Sequence, residues 1–588
     1  MIFKRQEHWQ FLEEELKAQT EAFKQKLETS ATFLLQDKEE MFVAQFLKFH
    51  EGEMILKFSN NRGIPRQGEY LYCFSVPKAD RDYRNWGNKT YGDLIKAKTN
   101  YSEIVCIWQA PSDEKDFCIA GFRGVELEFS TYIENTVGMI LLLGPNKPPF
   151  EYIANLQKIV LNSQNAKANL ILDQDFTFSD WVPSLLDNKK NIADFVLNQL
   201  ALQDTIIVKG PPGTGKTYQI AEICEKLCNQ GKSVLVTALT NRALIEIVEK
   251  PALKKILESH RIFKTKLSVD EARAVENLMP TKDVSPQPGN LILSTFYITS
   301  GQAAQTFIEP PFDYVIVDEA SQALLGMFAG SAQLGKKNIW IGDTKQLPPV
   351  VALSDDKVNR KNYGALVDGL KAISDTASIP VFQLTETHRL TERASVYTGI
   401  FYNGSLKSKS KKDVRLTFEE LPNNIGKFLN SKGGPTLLKT DLQVGDSKPK
   451  NAIFLTVELV KHLLTVNEEL HISILTYFVE TTKALQKAIF QTVGYHKNLL
   501  IETVSRVQGL TTDICIYVVP NTGYHRSLEN RLFNVATSRS RRHTIIIADK
   551  NVLSRLQVDS EVTQYLLKLN DEYSFEIKVE NEQKMLSL

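Results

Sequence analysis

The sequence predicts an α/β protein built from two tandem parallel-sheet domains, preceded by helices that carry a small β-barrel. Three observations predict it. From residue 205 onward, apolar β-branched runs end in Gly or Asp and are followed by helical stretches. The same alternation starts again after residue 470. Between about 40 and 145 the runs are instead short and alternating, with turn residues between them. The expected division is 1–165 for helices plus barrel, 166–375 for the first α/β domain and 376–588 for the second.

The N-terminal part opens with a helical pattern over residues 3 to about 30, where Leu12, Leu16, Phe23 and Leu27 repeat at spacings of four and seven. Met54–Phe58, Tyr70–Val76, Glu103–Trp108 and Val125–Phe129 then read as strands of a small barrel or sandwich, punctuated by turns such as Asn60-Asn61-Arg62-Gly63. Residues 150–163 are helical by pattern. In the first α/β domain the strand runs are Thr205–Val208, Ser233–Ala238, Leu291–Ser294, Tyr314–Val317 and Asn338–Ile341. In the second they are Ile472–Leu475, Leu500–Val504, Asp513–Val519 and Thr544–Ala548, with the break between domains near 365–380, before Pro380.

Bulk properties narrow the class. A chain of 588 residues exceeds one hydrophobic core. Its 43% hydrophobic and 24% charged residues are those of an ordinary globular protein. A net charge of +1 gives no whole-chain attraction for a polyanion and leaves room only for a local basic groove. Lys407, Lys409, Lys411, Lys412 and Arg415 form one basic cluster, read either as a solvated loop or as a phosphate-contacting rim. The six cysteines show no paired zinc-ribbon spacing, and Cys224 and Cys228 fall on one face of an expected helix. Free thiols fit a reducing compartment. Charged residues Lys4, Arg5 and Glu7 open the chain without a signal-like apolar stretch, and the longest apolar run, Val137–Leu143, is too short for a bilayer. The expectation is an intracellular, soluble protein with no membrane partner.

Chemistry enters at residues 210–217, Gly-Pro-Pro-Gly-Thr-Gly-Lys-Thr, a complete phosphate-binding loop between an expected strand and helix. Gly210, Pro211, Pro212, Gly213, Thr214 and Gly215 shape a backbone whose N–H groups can cradle phosphates at a helix N-terminus. Lys216 is expected on the β- and γ-phosphates and Thr217 on Mg²⁺. About a hundred residues later, the run Tyr314–Val317 delivers Asp318 and Glu319 to a strand end. Asp318 is expected to hold the Mg²⁺ shell and Glu319 to polarise the attacking water, so the implied ligands are ATP and Mg²⁺. Developing charge on the γ-phosphate still needs a cation. Arg389, after Glu386-Thr387-His388, and Arg539, in a probable helix just before the last strand, are the candidates, acting across a cleft that nucleotide closes.

With these residues in place, the chain resembles superfamily 1 helicases, in particular the 5′-to-3′ branch that includes the nonsense-mediated-decay (Up-frameshift) helicase. The resemblance covers about 185–550 and rests on an ordered motif set: the loop, Asp318-Glu319-Ala320-Ser321-Gln322, Gly342-Asp343-Thr344-Lys345-Gln346-Leu347-Pro348-Pro349, Phe401-Tyr402-Asn403-Gly404-Ser405-Leu406, Val507-Gln508-Gly509 and Asn534–Arg541. It implies RecA-like motor domains, with Gln346 sensing the γ-phosphate and His388 where the branch often stacks a tyrosine on adenine. It also implies contacts to single-stranded DNA or RNA from Thr240, Asn241, Ser294, Thr295 and Thr503; small hydroxyl and amide groups grip phosphates without reading bases. The N-terminal helix–barrel–helix order is similar to the family's stalk and barrel, which would place Tyr70, Tyr72, Phe74 and Trp108 near the strand, with most of them core. The sequence departs from the family at Lys190 or Asn191, where its adenine-reading glutamine stands, and at Thr511, where motif V has glutamate. The implied activity is ATP-dependent helicase or translocase action. The alternatives are an ATP-driven nucleoprotein remodeller that does not separate strands, and a catalytically idle scaffold.

Overall fold

A computed structural model describes residues 3–136, 138–173, 183–187, 191–305, 307, 309–376, 379–411, 423–507, 509–556 and 559–579. Among these, two wholly parallel sheets dominate. The first has nine strands in the order Met279–Thr281, Ile262–Thr265, Leu291–Thr295, Val234–Ala238, Phe312–Val317, Gly335–Gly342, Thr205–Lys209, Val381–Leu384, Ser184–Leu186. The second has six: Leu499–Thr503, Ile472–Thr476, Thr512–Val518, Ser540–Asp549, Gly434–Thr440, Ser574–Ile577.

Strand alternation explains the layering. Ile207, Leu235 and Val315 face one core, shared with the fully buried helix Leu325–Leu334. Their neighbours Ile206, Val208, Val234, Val236 and Ile316 face the other, under helices Lys216–Asn229 and Asn241–Val248. Cys224 and Cys228 lie buried in that second layer, and all six cysteines are free thiols.

The first sheet runs past the expected break. Val381–Leu384 pairs with Thr205–Lys209, and the carbonyl of Pro380 accepts from the Ile207 N–H at 2.9 Å. The strand holding Thr544–Ala548 is also not the last in the chain, because Ser574–Ile577 follows and extends the sheet edge.

Six strands from Phe42 to Pro145 close into a barrel. The segment Val125–Phe129, expected as a strand, instead leads into the helix Leu127–Glu134. Val125, Phe129 and Ile133 are all buried, at a spacing of four, which is a helical stripe rather than an alternation. The helix Arg5–Glu28 packs with Phe150–Asn162 on the first α/β core through Phe11, Leu12, Tyr152 and Leu156. Its fully buried Glu15 accepts from the N–H groups of Ala352 and Leu353 at 2.8 and 3.0 Å. No helix among the described residues is long and apolar enough to cross a membrane.

Candidate active site

A cavity of about 560 Å³ opens where the two parallel sheets meet. Its floor is the loop between strand Thr205–Lys209 and helix Lys216–Asn229. Gly213 and Gly215 hold φ of +74° and +81°, a region closed to most side chains, and a Cβ at Gly213 would lie 2.4 Å from that of Arg389. Pro212 to Tyr218 line the cavity. Behind them, the carbonyl of Gly210 accepts from the Lys216 ammonium at 2.5 Å, and that of Pro211 from the Thr214 hydroxyl at 2.8 Å.

The opposite wall comes from the second half of the chain. The carbonyl of Pro212 accepts from the Thr387 hydroxyl at 2.9 Å, and that of Gly213 from the His388 N–H at 2.8 Å. His388, Arg389, Gly509, Thr511, Arg539 and Arg541 thereby face Asp318, Glu319, Asp343 and Gln346. Asn191, beside the departure at the adenine position, caps helix Ile192–Leu202 by accepting from the Asp194 N–H at 3.0 Å; Lys190 lies outside the described residues.

The electrostatics of this wall are those of a binding site for an anion. Arg539 is 1% exposed; its Nε donates to Val535 O at 2.8 Å, Nη1 to Leu510 O at 3.4 Å, and Nη2 has no hydrogen-bond partner among the described residues. Burial lowers its pKa. Burial and then the charge of Arg539 pull Arg389 down to about 9. Burial also lowers the pKa of Lys216. Three desolvated cations around one cavity are each better held by a multiply charged anion than by the protein alone. The acidic side is equally strained. Burial pushes Asp318 up to about 6 and Glu319, helped by the charges of Asp318 and Glu246, up to about 7. Glu319 itself sits at φ +48°, its N–H donating to Asp318 Oδ1 at 2.8 Å. A cation beside Thr217 and Asp318 would relieve that crowding.

Sequence reading missed a bridge between the halves. Asp343 Oδ2 accepts from the Gln346 amide at 2.8 Å and from the Tyr402 hydroxyl at 2.7 Å. Asn534 donates to that same tyrosine oxygen at 2.9 Å and to Lys345 O at 2.8 Å. Asp343, Lys345, Gln346, Tyr402 and Asn534 all stand inside quoted motifs, so their positions were visible and their mutual contacts were not. Arg242 and Glu246 also line the cavity and were overlooked, although an Arg and a Glu four apart follow directly on Thr240-Asn241.

The expected nucleic-acid residues gather at carboxyl ends of strands in both sheets. Thr240 caps helix Asn241–Val248, and Asn241 Oδ1 accepts from the buried Lys264 ammonium at 3.0 Å. Thr295 precedes helix Phe296–Ala303, and Thr503 ends its strand with its hydroxyl on Glu502 at 3.2 Å. Ser294 differs: it is fully buried, its hydroxyl accepting from Thr265 at 3.2 Å, so its side chain faces the interior. Of the barrel aromatics, Tyr72 and Phe74 are core and Tyr70 is 59% exposed. Trp108 lies against Gly121 and meets Tyr495 of the second half, ring centroids 5.6 Å apart. The carbonyl of Gly68 accepts from Arg506 at 3.4 Å, and Asp270 accepts from the Gly124 N–H at 2.9 Å, so the barrel touches both halves. In the basic cluster, Lys409 pairs with Glu386 at 3.5 Å, while Lys412 and Arg415 lie outside the described residues.

Residues 194–352 match a family described as AAA domain, and 369–551 match a second family of that description. The two matches lie on either side of the cavity. The chain carries two AAA domains. It is 28% identical over 250 residues to the DNA replication ATP-dependent helicase/nuclease DNA2 of Saccharomyces cerevisiae, covering 41% of this chain and 16% of that protein. It is 27% identical over 406 residues to the dna2 protein of Schizosaccharomyces pombe, covering 62% of this chain and 27% of that one. The chain thus spans about a sixth to a quarter of these relatives. A crystal structure of an arterivirus helicase, nonstructural protein 10, overlaps 82% of this chain and 77% of its own at 12% identity, with a TM-score of 0.36 that is too low to bear on the fold.

Proposed function

We propose that this chain is an ATP-dependent motor that moves 5′ to 3′ along single-stranded nucleic acid and separates strands ahead of it. The observation that carries the reading is Arg539: a buried guanidinium from the second sheet with an unpartnered Nη2, in a cavity whose floor is the Lys216 loop of the first. Such a cavity is complete only when the two halves are apposed, so its chemistry and the closure of the halves are one event.

In this reading Lys216 and the loop N–H groups hold the β- and γ-phosphates, and His388 lies against the base. Thr217 and Asp318 hold Mg²⁺, which when bound neutralises phosphate charge. Glu319 orients the attacking water, Gln346 reports the γ-phosphate through Asp343 and Tyr402, and Arg389 and Arg539 meet the charge that develops in the transition state. Thr240, Asn241, Thr295 and Thr503 contact the backbone of the strand. The helices Arg5–Glu28 and Phe150–Asn162 act as a stalk for the barrel, and the motor halves divide after Leu384. The relatives named as DNA replication helicases favour DNA as the track and a cell interior as the setting.

Strand displacement on 5′-tailed and 3′-tailed duplexes tests the reading. Unwinding of the 5′-tailed substrate alone is expected. Unwinding of the 3′-tailed substrate alone overturns the polarity, and stimulated ATP hydrolysis without unwinding of either favours a remodeller.

A further inference from the structure

Helix Asn241–Val248 is capped by Thr240, one of the expected strand-contacting residues, and lines the cavity with Arg242, Ala243 and Glu246. Its first residue is pinned: Asn241 accepts from Lys264, a fully buried ammonium paired with Glu271 at 2.9 Å. One turn on, Arg242 Nε and Glu246 Oε1 are 3.1 Å apart. Both residues also line the cavity that holds Asp318, Glu319 and Arg389. The Arg242 charge also acts on Tyr70 of the barrel. The Glu246 charge acts on Asp318, Glu319 and Arg389. Arg389, in the wall of that cavity, donates from Nη1 to Ser538 O at a long 3.3 Å.

We propose that the Arg242–Glu246 pair couples strand binding to hydrolysis: a backbone phosphate takes Arg242, and the released Glu246 draws the Arg389 guanidinium off Ser538 within the cavity. The inference rests on the motor reading above. An i,i+4 pair with the Arg side chain 67% exposed is weak and gives way easily, whereas an arginine–phosphate contact is charge-assisted and can be bidentate. Glu246, 34% exposed, then loses its ion-pair partner and faces a guanidinium whose charge burial disfavours. Arg242 and Glu246 are positioning residues; neither touches the reacting atoms.

The test measures ATP hydrolysis by the full chain with and without a single-stranded oligonucleotide, and oligonucleotide affinity by fluorescence anisotropy. Glu246→Gln should cut the stimulation ratio about tenfold while leaving oligonucleotide affinity within about twofold. Arg242→Ala should weaken the oligonucleotide and raise the unstimulated rate toward the stimulated one, because Glu246 is then never paired. A structural role would lower both rates together. Wild-type stimulation with an unchanged ratio in Glu246→Gln, or a lowered unstimulated rate in Arg242→Ala, overturns the coupling. A wild type that the oligonucleotide does not stimulate overturns the motor reading with it.

Discussion

Replacing Arg539 with alanine separates transition-state stabilisation from nucleotide binding. The guanidinium is fixed by bonds to Val535 O and Leu510 O, which leaves Nη2 aimed without a partner. Fingers of this kind contribute about 10³–10⁵ to kcat, or roughly 4–7 kcal/mol at about 1.4 kcal/mol per decade. In the ground state Lys216 and the loop N–H groups already hold the phosphates, so Kd should move by less than about tenfold. Folding should change little: two carbonyls lose a donor, but a buried charge disfavoured by desolvation is removed as well. Single-turnover hydrolysis, a fluorescent-nucleotide titration and a melting curve read the three quantities, and Arg539→Lys tests whether charge without the fork suffices. A Kd weakened by the same factor as kcat refutes the reasoning, as does a kcat kept within tenfold.

Three further outcomes are expected. Lys216→Ala removes a buried ammonium that burial disfavours, so the melting temperature without nucleotide should hold or rise while ATP binding by calorimetry is lost; a lowered melting temperature with binding retained contradicts this. Gly213→Ala forces a Cβ at φ +74° to 2.4 Å from Arg389 Cβ and 2.6 Å from Thr387 Oγ1, which should cost about 1–3 kcal/mol of stability and slow hydrolysis; a neutral melting curve contradicts it. His8, 2% exposed, has its pKa lowered by burial from 6.5 to about 4. The unfolded chain therefore takes up a proton below pH 6.5 that the folded chain refuses until about 4. Stability should fall by up to about 3 kcal/mol across that window, at roughly 1.4 kcal/mol per pH unit. Thermal shifts of His8→Phe against wild type check it, since the substituted protein should lose less on acidification.

What was legible in the sequence was local. The loop Gly210–Thr217 announces itself because a parallel strand, a glycine turn and a helix N-terminus are contiguous, and the cavity floor has that form. The strand before Asp318 was readable because its apolar run is uninterrupted. Val125–Phe129 misled because five residues cannot distinguish an alternation from the start of a helical stripe, and the third member, Ile133, lies beyond them. The strands Gly434–Thr440 and Ile262–Thr265 were passed over, one opening on Gly-Pro and the other holding a lysine whose burial its distant partners Glu271 and Asn241 explain. Contacts between halves were the least legible. Tyr402 meets Asp343 across 59 residues and Asn534 meets Lys345 across 189, and no periodicity encodes such a pairing.

ATP hydrolysis by the wild-type chain, titrated with single-stranded DNA and with single-stranded RNA at one stated salt concentration, tests the central claim most directly, with Glu319→Gln as the blank. The account predicts hydrolysis that rises with strand concentration, saturates, weakens with added salt and vanishes in Glu319→Gln. Hydrolysis indifferent to both strands, or surviving in Glu319→Gln, would contradict it.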